Sequence, residues 1–341
     1  MQSLSNRFSN MSLLCAFMVV ALHMAGSDVV GHPTWWMHRV FGVGFFGIAV
    51  PFFFLASGFF VEARYQAGGT YWQIVKKRVR TLLVPFFVWN LLYTAFILGT
   101  ICAVDIMAHR PIGTNIALSG FRWLSVLGLY PFSEPYLGPT WFIRGLFLIV
   151  LLSPLLRILL EKFRLWTLAL LFVIMYFTMA YYPEGSILYR FWRWTVPTTG
   201  FFYFTLGMWL RRHPVPDSKG RRCVFIALPL GIVVQLAEVY FLYHGVNCHV
   251  YWRGIMIPLV MGGIWYLVPS IPLPGLLKGM SFPIYVLHYF FISAVFFLNH
   301  DPNSILFYLC RGVAGVTGPI VVALLIRKWL PRFSQVAFGG R

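Results

Sequence analysis

The sequence has little charge and very few acidic residues. Charged residues make up 11% of the 341 residues, with 27 Lys and Arg against 9 Asp and Glu, whereas 59% are hydrophobic. This leaves too little polar surface to cover a soluble globule of this size. The net charge of +18 does not indicate nucleic-acid binding, because the basic residues fall between apolar segments instead of forming one face. The composition predicts a polytopic membrane protein with no nucleic-acid partner.

Cysteine is also sparse, and the common catalytic motifs are missing. The five cysteines are widely spaced and contain no C-x-x-C pair, so neither a zinc site nor a disulfide framework is indicated. The histidines are not spaced as metal ligands, and no P-loop, Gly-x-Ser-x-Gly or Rossmann glycine pattern lies between a strand and a helix. We therefore expect no metal site.

Long apolar stretches bounded by proline or charged clusters indicate membrane-spanning helices, which need about 17 to 25 residues. The fold class predicted is an all-α polytopic membrane protein, a bundle of about ten transmembrane helices. The predicted spans are 10–27, 41–62, 82–101, 141–160, 165–182, 197–211, 223–243, 251–268, 276–298 and 304–326.

The distribution of Lys and Arg predicts the orientation of the bundle. With the N-terminus inside, most basic residues fall in cytoplasmic segments, where positive loops meet anionic lipid. Both termini are thus predicted to be cytoplasmic. The first apolar run is expected to be a retained helix, since no small-x-small cleavage site follows Ala21. We expect one transmembrane domain over residues 1–341 and no soluble domain.

Two segments outside the spans are distinctive. Residues 64–80 form a cytoplasmic segment in which apolar and basic positions alternate at helical spacing, as in an interfacial helix. It would either anchor to anionic lipid or hold the phosphates of a nucleotide-bearing donor. The long external segment 102–140 is rich in Gly, Pro and aromatic residues and could cover a site as a re-entrant or surface helix.

Ionisable residues at membrane depth are costly and therefore functional candidates. His23 shares a helix face with small and β-branched residues suited to packing inside a bundle. Structural roles remain open: Glu238 could pair with an arginine, Arg253 could lie among headgroups, and His288 could bond a backbone carbonyl. Together the candidates suit an anionic or polyhydroxylated ligand that enters from outside. They are His23, Arg144, Glu238, Arg253, His288 and Arg311.

Six stretches, in order and over nearly the whole chain, resemble the bacterial membrane acyltransferase-3 family. Singly each is weak, but the series is specific. They are Met18-Val-Val-Ala-Leu-His23, Val50-Pro-Phe-Phe-Phe-Leu-Ala-Ser-Gly58, Lys77-Arg-Val-Arg-Thr-Leu-Leu-Val-Pro-Phe-Phe-Val-Trp89, Trp141-Phe-Ile-Arg-Gly-Leu-Phe-Leu148, Phe204-Thr-Leu-Gly-Met208 and Ser281-Phe-Pro-Ile-Tyr-Val-Leu-His288.

The resemblance implies an O-acyltransferase of the bacterial inner membrane. Such a protein passes an acyl group, often acetyl from acetyl-CoA, to a hydroxyl of a carbohydrate or lipid-linked envelope acceptor. His23 matches the family's catalytic histidine and would act as general base, or less readily as a nucleophile that accepts the acyl group. The arginines would hold substrate phosphates or carboxylates, or stabilise developing oxyanion charge.

The first span also departs from the family pattern. Relatives carry an arginine, ten residues and then the histidine, whereas Ser12 occupies the arginine position here. The donor-handling half of the family motif is therefore incomplete here, which keeps a second function open. The alternative is an exporter or flippase of a glycan or lipid-linked sugar, which would also line a path with arginine, histidine and aromatics.

Overall fold

The computed structural model describes residues 2–112, 123–126, 134–181, 186–192, 196–246, 249–298 and 301–340. In these ranges the chain is helical without a strand, as predicted for an all-α protein. Its α-helices are α1 (Gln2–Leu22), α2 (Pro33–Met37), α3 (Ala49–Gln66), α4 (Tyr71–Arg78), α5 (Val84–Met107), α6 (Trp123–Val126), α7 (Trp141–Leu151), α8 (Ser153–Phe163), α9 (Leu165–Tyr181), α10 (Ile187–Arg190), α11 (Thr198–Arg212), α12 (Asp217–Tyr243), α13 (His249–Leu267), α14 (Ser281–Leu298), α15 (Ile305–Trp329) and α16 (Pro331–Ala337).

Five described helical stretches are long and apolar enough to cross a membrane, or six if one bent pair is a single span. The apolar stretches of α9 and α13, Leu165–Thr178 and Gly254–Leu267, are shorter. The count of ten spans therefore remains a prediction. The five stretches are Pro33–Gln66, Tyr71–Met107, Val224–Tyr243, Ser281–Leu298 and Ile305–Trp329.

The bent pair lies in the fourth predicted span, 141–160. Here α7 and α8 meet at an angle of 59° instead of forming one straight helix. Pro154, in the first turn of α8, explains the break. Its ring removes a backbone donor and disfavours a helical residue before it.

Helices α3 and α11 cross closely at two glycines. A Cβ on Gly58 would overlap the carbonyl oxygen of Phe204, and a Cβ on Gly207 would overlap the carbonyl oxygen of Leu55. Small residues at such crossings let two backbones approach, which drives association of helices in a membrane. The crossing joins two of the six stretches that carry the family resemblance.

An ion-pair network ties α3, α8 and α11 at one end of the bundle. Glu62 is 1% exposed, and its carboxylate lies 2.8 Å from Nε of Arg212 and 3.8 Å from Nε of Arg157. Glu161 joins both arginines at 3.3 and 3.4 Å. All four residues fall at helix ends predicted to be cytoplasmic.

Other contacts between helix ends follow the same two-sided division. Arg7 on α1 pairs with Asp217 on α12 at 3.1 Å, and both lie in segments predicted to be cytoplasmic. The hydroxyl of Thr34, at the other end of the bundle, donates to the carbonyl of Pro302 at 3.0 Å. These two contacts thus each join residues that are predicted to lie on the same side of the membrane.

The two distinctive segments outside the spans are partly described. In 64–80, α4 begins with a capping box formed by Thr70 and Gln73, and a π-helical turn, Val79–Leu83, leads from α4 into α5. In 102–140, the first residues continue α5 to Met107, but 113–122 and 127–133 lie outside the described residues. The predicted cover over a site falls largely on those residues.

Candidate functional site

Two of the predicted residues, His23 and His288, meet in the bundle. Their ring centroids are 5.1 Å apart and their planes are inclined by 77°. His23 lies directly after α1, which packs on α3 and α14. Cys15 and Val19, on the face predicted for His23, are at most 1% exposed. This buried stripe brings the end of α1 against His288.

The backbone of α14 holds His288 in one orientation. Its Nδ1 lies 2.7 Å from the carbonyl oxygen of Tyr285 and 3.2 Å from that of Ile284. A carbonyl only accepts, so Nδ1 carries the proton and Nε2 of the neutral ring has the lone pair. His288 is fully buried, and its Nε2 has no hydrogen-bond partner among the described residues. The backbone bond foreseen as a structural role is thus present, and it leaves one nitrogen available.

Tyrosines surround the histidine pair. The ring of Tyr289 lies 5.6 Å from that of His23 and 5.7 Å from that of Tyr93. Tyr285 precedes His288 by one helical turn, and its hydroxyl donates a short hydrogen bond to the carbonyl of Pro139. These amphipathic rings give the site apolar walls that carry hydroxyl groups.

The turn that receives the Tyr285 hydroxyl is itself held by a buried amide. Asn90 on α5 donates to the hydroxyl of Thr140 at 2.9 Å and accepts from the backbone N–H of Leu137 at 3.2 Å. Asn90 and Thr140 are fully buried, and Leu137 is nearly so. A satisfied buried network of this kind fixes the 3-10 turn Gly138–Thr140 in front of α7.

Arg144 contributes a charged group near the same site. It lies half-buried on α7 and interacts electrostatically with Glu134. The same carboxylate acts on Tyr289, which contacts His23. Glu134 therefore acts electrostatically on both Arg144 and Tyr289, and it was not foreseen from the sequence.

The remaining predicted residues differ in how their positions relate to the histidine pair. Arg311 is buried on α15, where its Nη1 donates to the carbonyl of Ala25 at 3.0 Å, two residues after His23. Glu238 is 2% exposed on α12, which packs mainly on α13 and lies away from α14. Arg253 lies in the first turns of α13, but its side chain is outside the described residues.

Two cavities are lined in part by residues of the predicted cytoplasmic segment 64–80. The basic cavity, of about 590 Å³, is lined by Arg64, Gln73, Lys77 and Arg78 among others. The inner cavity, of about 80 Å³, is lined by Ser57, Phe142, Tyr285 and again Arg78. Arg78 is thus common to both, and the lining of the inner cavity includes a tyrosine one helical turn from His288.

Sequence reasoning missed Asn90, Glu134 and Tyr285. The sequence could have indicated Tyr285, because this residue precedes His288 by three positions within one of the six stretches that resemble the family. Arg78 was assigned only as one of several basic residues in an amphipathic segment. Among the described residues, no group of three or more His, Cys, Asp or Glu side chains is arranged to hold a metal ion.

Comparisons with known proteins agree with the resemblance of the six stretches. The acyltransferase domain of the acyltransferase-3 family matches residues 11–324. The chain is 26% identical over 246 residues to the succinoglycan biosynthesis protein ExoH of Rhizobium meliloti (strain 1021). That alignment covers 67% of this chain and 63% of the relative, so it spans less than two thirds of that protein. No solved structure matches. The predicted family is confirmed: the chain belongs to the acyltransferase-3 family of acyltransferase domains.

Proposed function

We propose that this protein is a membrane O-acyltransferase that transfers an acyl group, acetyl from acetyl-CoA, to a hydroxyl of a cell-envelope polysaccharide. Family membership supports acyl transfer, and a relative concerned with succinoglycan biosynthesis supports a polysaccharide acceptor. His23 is the general base of this reaction. Arg144 and Arg311 lie on the acceptor side with Glu134, and Glu238 and Arg253 remain proposed contacts farther out.

The observation that carries the proposal is a pair of cavities that share Arg78 as a lining residue. The basic cavity has the volume of a small-molecule site, and Arg64, Lys77 and Arg78 supply the charge that phosphates of CoA require. Arg78 also lines the inner cavity, together with Tyr285. A donor bound by its nucleotide in the basic cavity would point its thioester toward His288 and His23. This favours donor binding over lipid anchoring for the segment 64–80, and it supplies cations that Ser12 does not.

The chemistry needs one base and a place for negative charge. His23 takes the proton of the acceptor hydroxyl while that oxygen forms a bond to the thioester carbonyl carbon. The C–S bond then breaks, and the proton passes from His23 to the CoA thiolate, so atoms and charge balance. The cation of Arg144 stabilises the negative charge that develops on the carbonyl oxygen. Tyr285, held on Pro139, lines the inner cavity, and its ring lies 6.4 Å from that of His288. In this proposal the ring moves to admit the acyl group.

The proposed topology has ten spans in the bacterial inner membrane with both termini in the cytoplasm. It is supported by the Lys and Arg distribution and by the two-sided grouping of helix-end contacts, such as the pair Arg7–Asp217. In this orientation the basic cavity opens to the cytoplasm, where acyl-CoA is found, and the acceptor side faces outward. Each substrate then reaches the histidines from its own compartment.

Inside-out membrane vesicles supplied with ¹⁴C-acetyl-CoA test the proposal. Replacing His23 by Ala should lower label transfer to endogenous glycan by about 10²-fold or more, the usual contribution of a general base. Arg78→Ala should raise KM for acetyl-CoA about tenfold, because a charge-assisted bond to phosphate is lost. Arg80→Ala is the matched control, since this exposed neighbour lines neither cavity. Unchanged transfer by His23→Ala, or equal effects of the two arginine variants, would contradict the proposal.

A further inference from the structure

The two histidines leave a complementary pair of nitrogens unused. His288 presents the lone pair of Nε2, because its Nδ1–H is committed to the carbonyls of Tyr285 and Ile284. On His23 the buried nitrogen without a hydrogen-bond partner is Nδ1. Burying an unpaired polar nitrogen is unfavourable. One nitrogen is thus a fixed acceptor, and the other becomes a donor if it carries the proton.

The ring separation fits a hydrogen bond between them. Two imidazoles joined by an N–H···N bond of about 2.9 Å have ring centroids roughly 5 Å apart. The observed centroid separation of His23 and His288 is 5.1 Å. The ring separation therefore already matches that of a hydrogen-bonded pair, provided that the ring of His23 turns its Nδ1 toward Nε2 of His288. Catalytic hydrogen bonds are often poorly aligned in the free protein and tighten once substrate binds.

We propose that His288 is a positioning residue whose Nε2 accepts a hydrogen bond from Nδ1–H of His23. This fixes His23 in the tautomer with an unprotonated Nε2, the nitrogen that takes the proton of the acceptor hydroxyl. Donation then runs in one direction, from hydroxyl to His23, from His23 to His288, and from His288 to the carbonyl of Tyr285. The role is that of a group that orients a catalytic imidazole through its second nitrogen. The inference rests on the proposed function for its consequence in catalysis.

The tautomer of His23 can be measured without any assay of activity. In the ¹⁵N NMR spectrum of the histidine-labelled full chain in detergent, the signals of His23 are identified by their loss in His23→Gln. We expect Nδ1 of His23 to be protonated in the neutral wild-type ring and this preference to be lost in His288→Asn. A wild-type His23 protonated at Nε2, or an unchanged tautomer in His288→Asn, would overturn the inference. This result stands even if the chain proves to have no acyltransferase activity.

Two variants of His288 separate positioning from packing. The amide N–H of Asn can replace Nδ1–H at the carbonyl of Tyr285 but puts no acceptor at the Nε2 position. The longer Gln side chain can place its amide oxygen there. With ¹⁴C-acetyl-CoA and inside-out vesicles, His288→Asn should lower kcat about 10²-fold at unchanged KM. The kcat of His288→Gln should be at least about tenfold higher than that of His288→Asn.

Other outcomes contradict the positioning role. Equal losses in the Asn and Gln variants, or wild-type transfer by His288→Asn, would overturn it. A raised KM for acetyl-CoA with unchanged kcat would assign His288 to donor binding instead. The thermal unfolding midpoints of both variants, measured in detergent, verify that each chain is folded before its kinetics are compared.

Discussion

Asn90 shows how one buried polar side chain supports the site at the residue scale. It bonds α5 to the turn that carries Pro139, and Pro139 accepts the hydroxyl of Tyr285. Replacing Asn90 removes these bonds and leaves a buried N–H of Leu137 without its partner. A buried polar group that loses its hydrogen-bond partner destabilises the folded state by its desolvation free energy, about 1–3 kcal/mol.

We therefore predict that Asn90→Ala lowers the free energy of unfolding by about 2 kcal/mol and the thermal midpoint in detergent by several degrees. Thr100→Ala is the matched control, because Thr100 lies on the same helix and only bonds the carbonyl of Phe96 at 2.9 Å. Such a bond within one helix adds little stability. Equal midpoints for the two variants would show that the turn does not depend on Asn90.

Sequence reasoning at this scale identifies the histidines but not their supports. His23 is recognised because an ionisable group ends an apolar run, and Arg144, Arg311 and His288 for similar reasons. Asn90 and Glu134 carry no such signal, since neither follows a spacing that predicts a contact. Asn90 lies 47 residues from Leu137 and 50 from Thr140 in the sequence, and only the folded chain brings them together.

At the scale of helices, the crossing of α3 and α11 determines how closely the bundle packs. Both glycines of this crossing face a backbone carbonyl of the other helix. A backbone oxygen cannot move aside as a flexible side chain can. A methyl group at either glycine would therefore push the helices apart over their whole contact.

We predict that Gly58→Ala and Gly207→Ala each lower the thermal unfolding midpoint by several degrees, because overpacking a close contact costs about 1–3 kcal/mol. Gly99→Ala is the control, since a Cβ on this exposed helical glycine meets nothing within 4 Å. Its midpoint should stay the same or rise slightly, because alanine is the better helix former. A comparable loss of stability in Gly99→Ala would contradict the explanation by close approach.

The helix boundaries illustrate what a hydropathy pattern can and cannot predict. Apolar length identifies α14 and α15 well, because each apolar run coincides with one helix. The span 141–160 is different, since Pro154 breaks it into two helices at 59°. A hydropathy pattern reports composition only, whereas the bend depends on the backbone N–H that Pro154 lacks and on the clash of its ring with the preceding turn.

At the scale of the whole molecule, the inner cavity is formed by residues from distant parts of the chain. Arg78 is the last residue of α4, Phe142 lies on α7 and Tyr285 on α14, yet all three line this cavity. The family and the all-helical class follow from linear motifs and composition. The cavity does not, because it requires the relative positions of helices some 200 residues apart in the chain.

The C-terminal residues complete this end of the bundle. The indole N–H of Trp89 donates to the carbonyl of Ala337 at 2.7 Å, and the fully buried Phe338 stacks on the same ring at 5.6 Å. Gly339 follows with φ of +65°, and a Cβ there would lie 2.7 Å from the carbonyl oxygen of Thr81. The last helix therefore packs against the beginning of α5, next to the segment that contains Arg78.

The central claim is acyl transfer to an envelope polysaccharide with His23 as base, and the polysaccharide itself tests it most directly. Mass spectrometry would compare polysaccharide from bacteria that carry the wild-type chain, His23→Ala at equal protein level, or no chain. We predict an acyl mass increment with the wild-type chain alone. Acylation that persists with His23→Ala, or unacylated glycan that accumulates inside cells lacking the chain, would contradict the account, and the second result would favour an exporter.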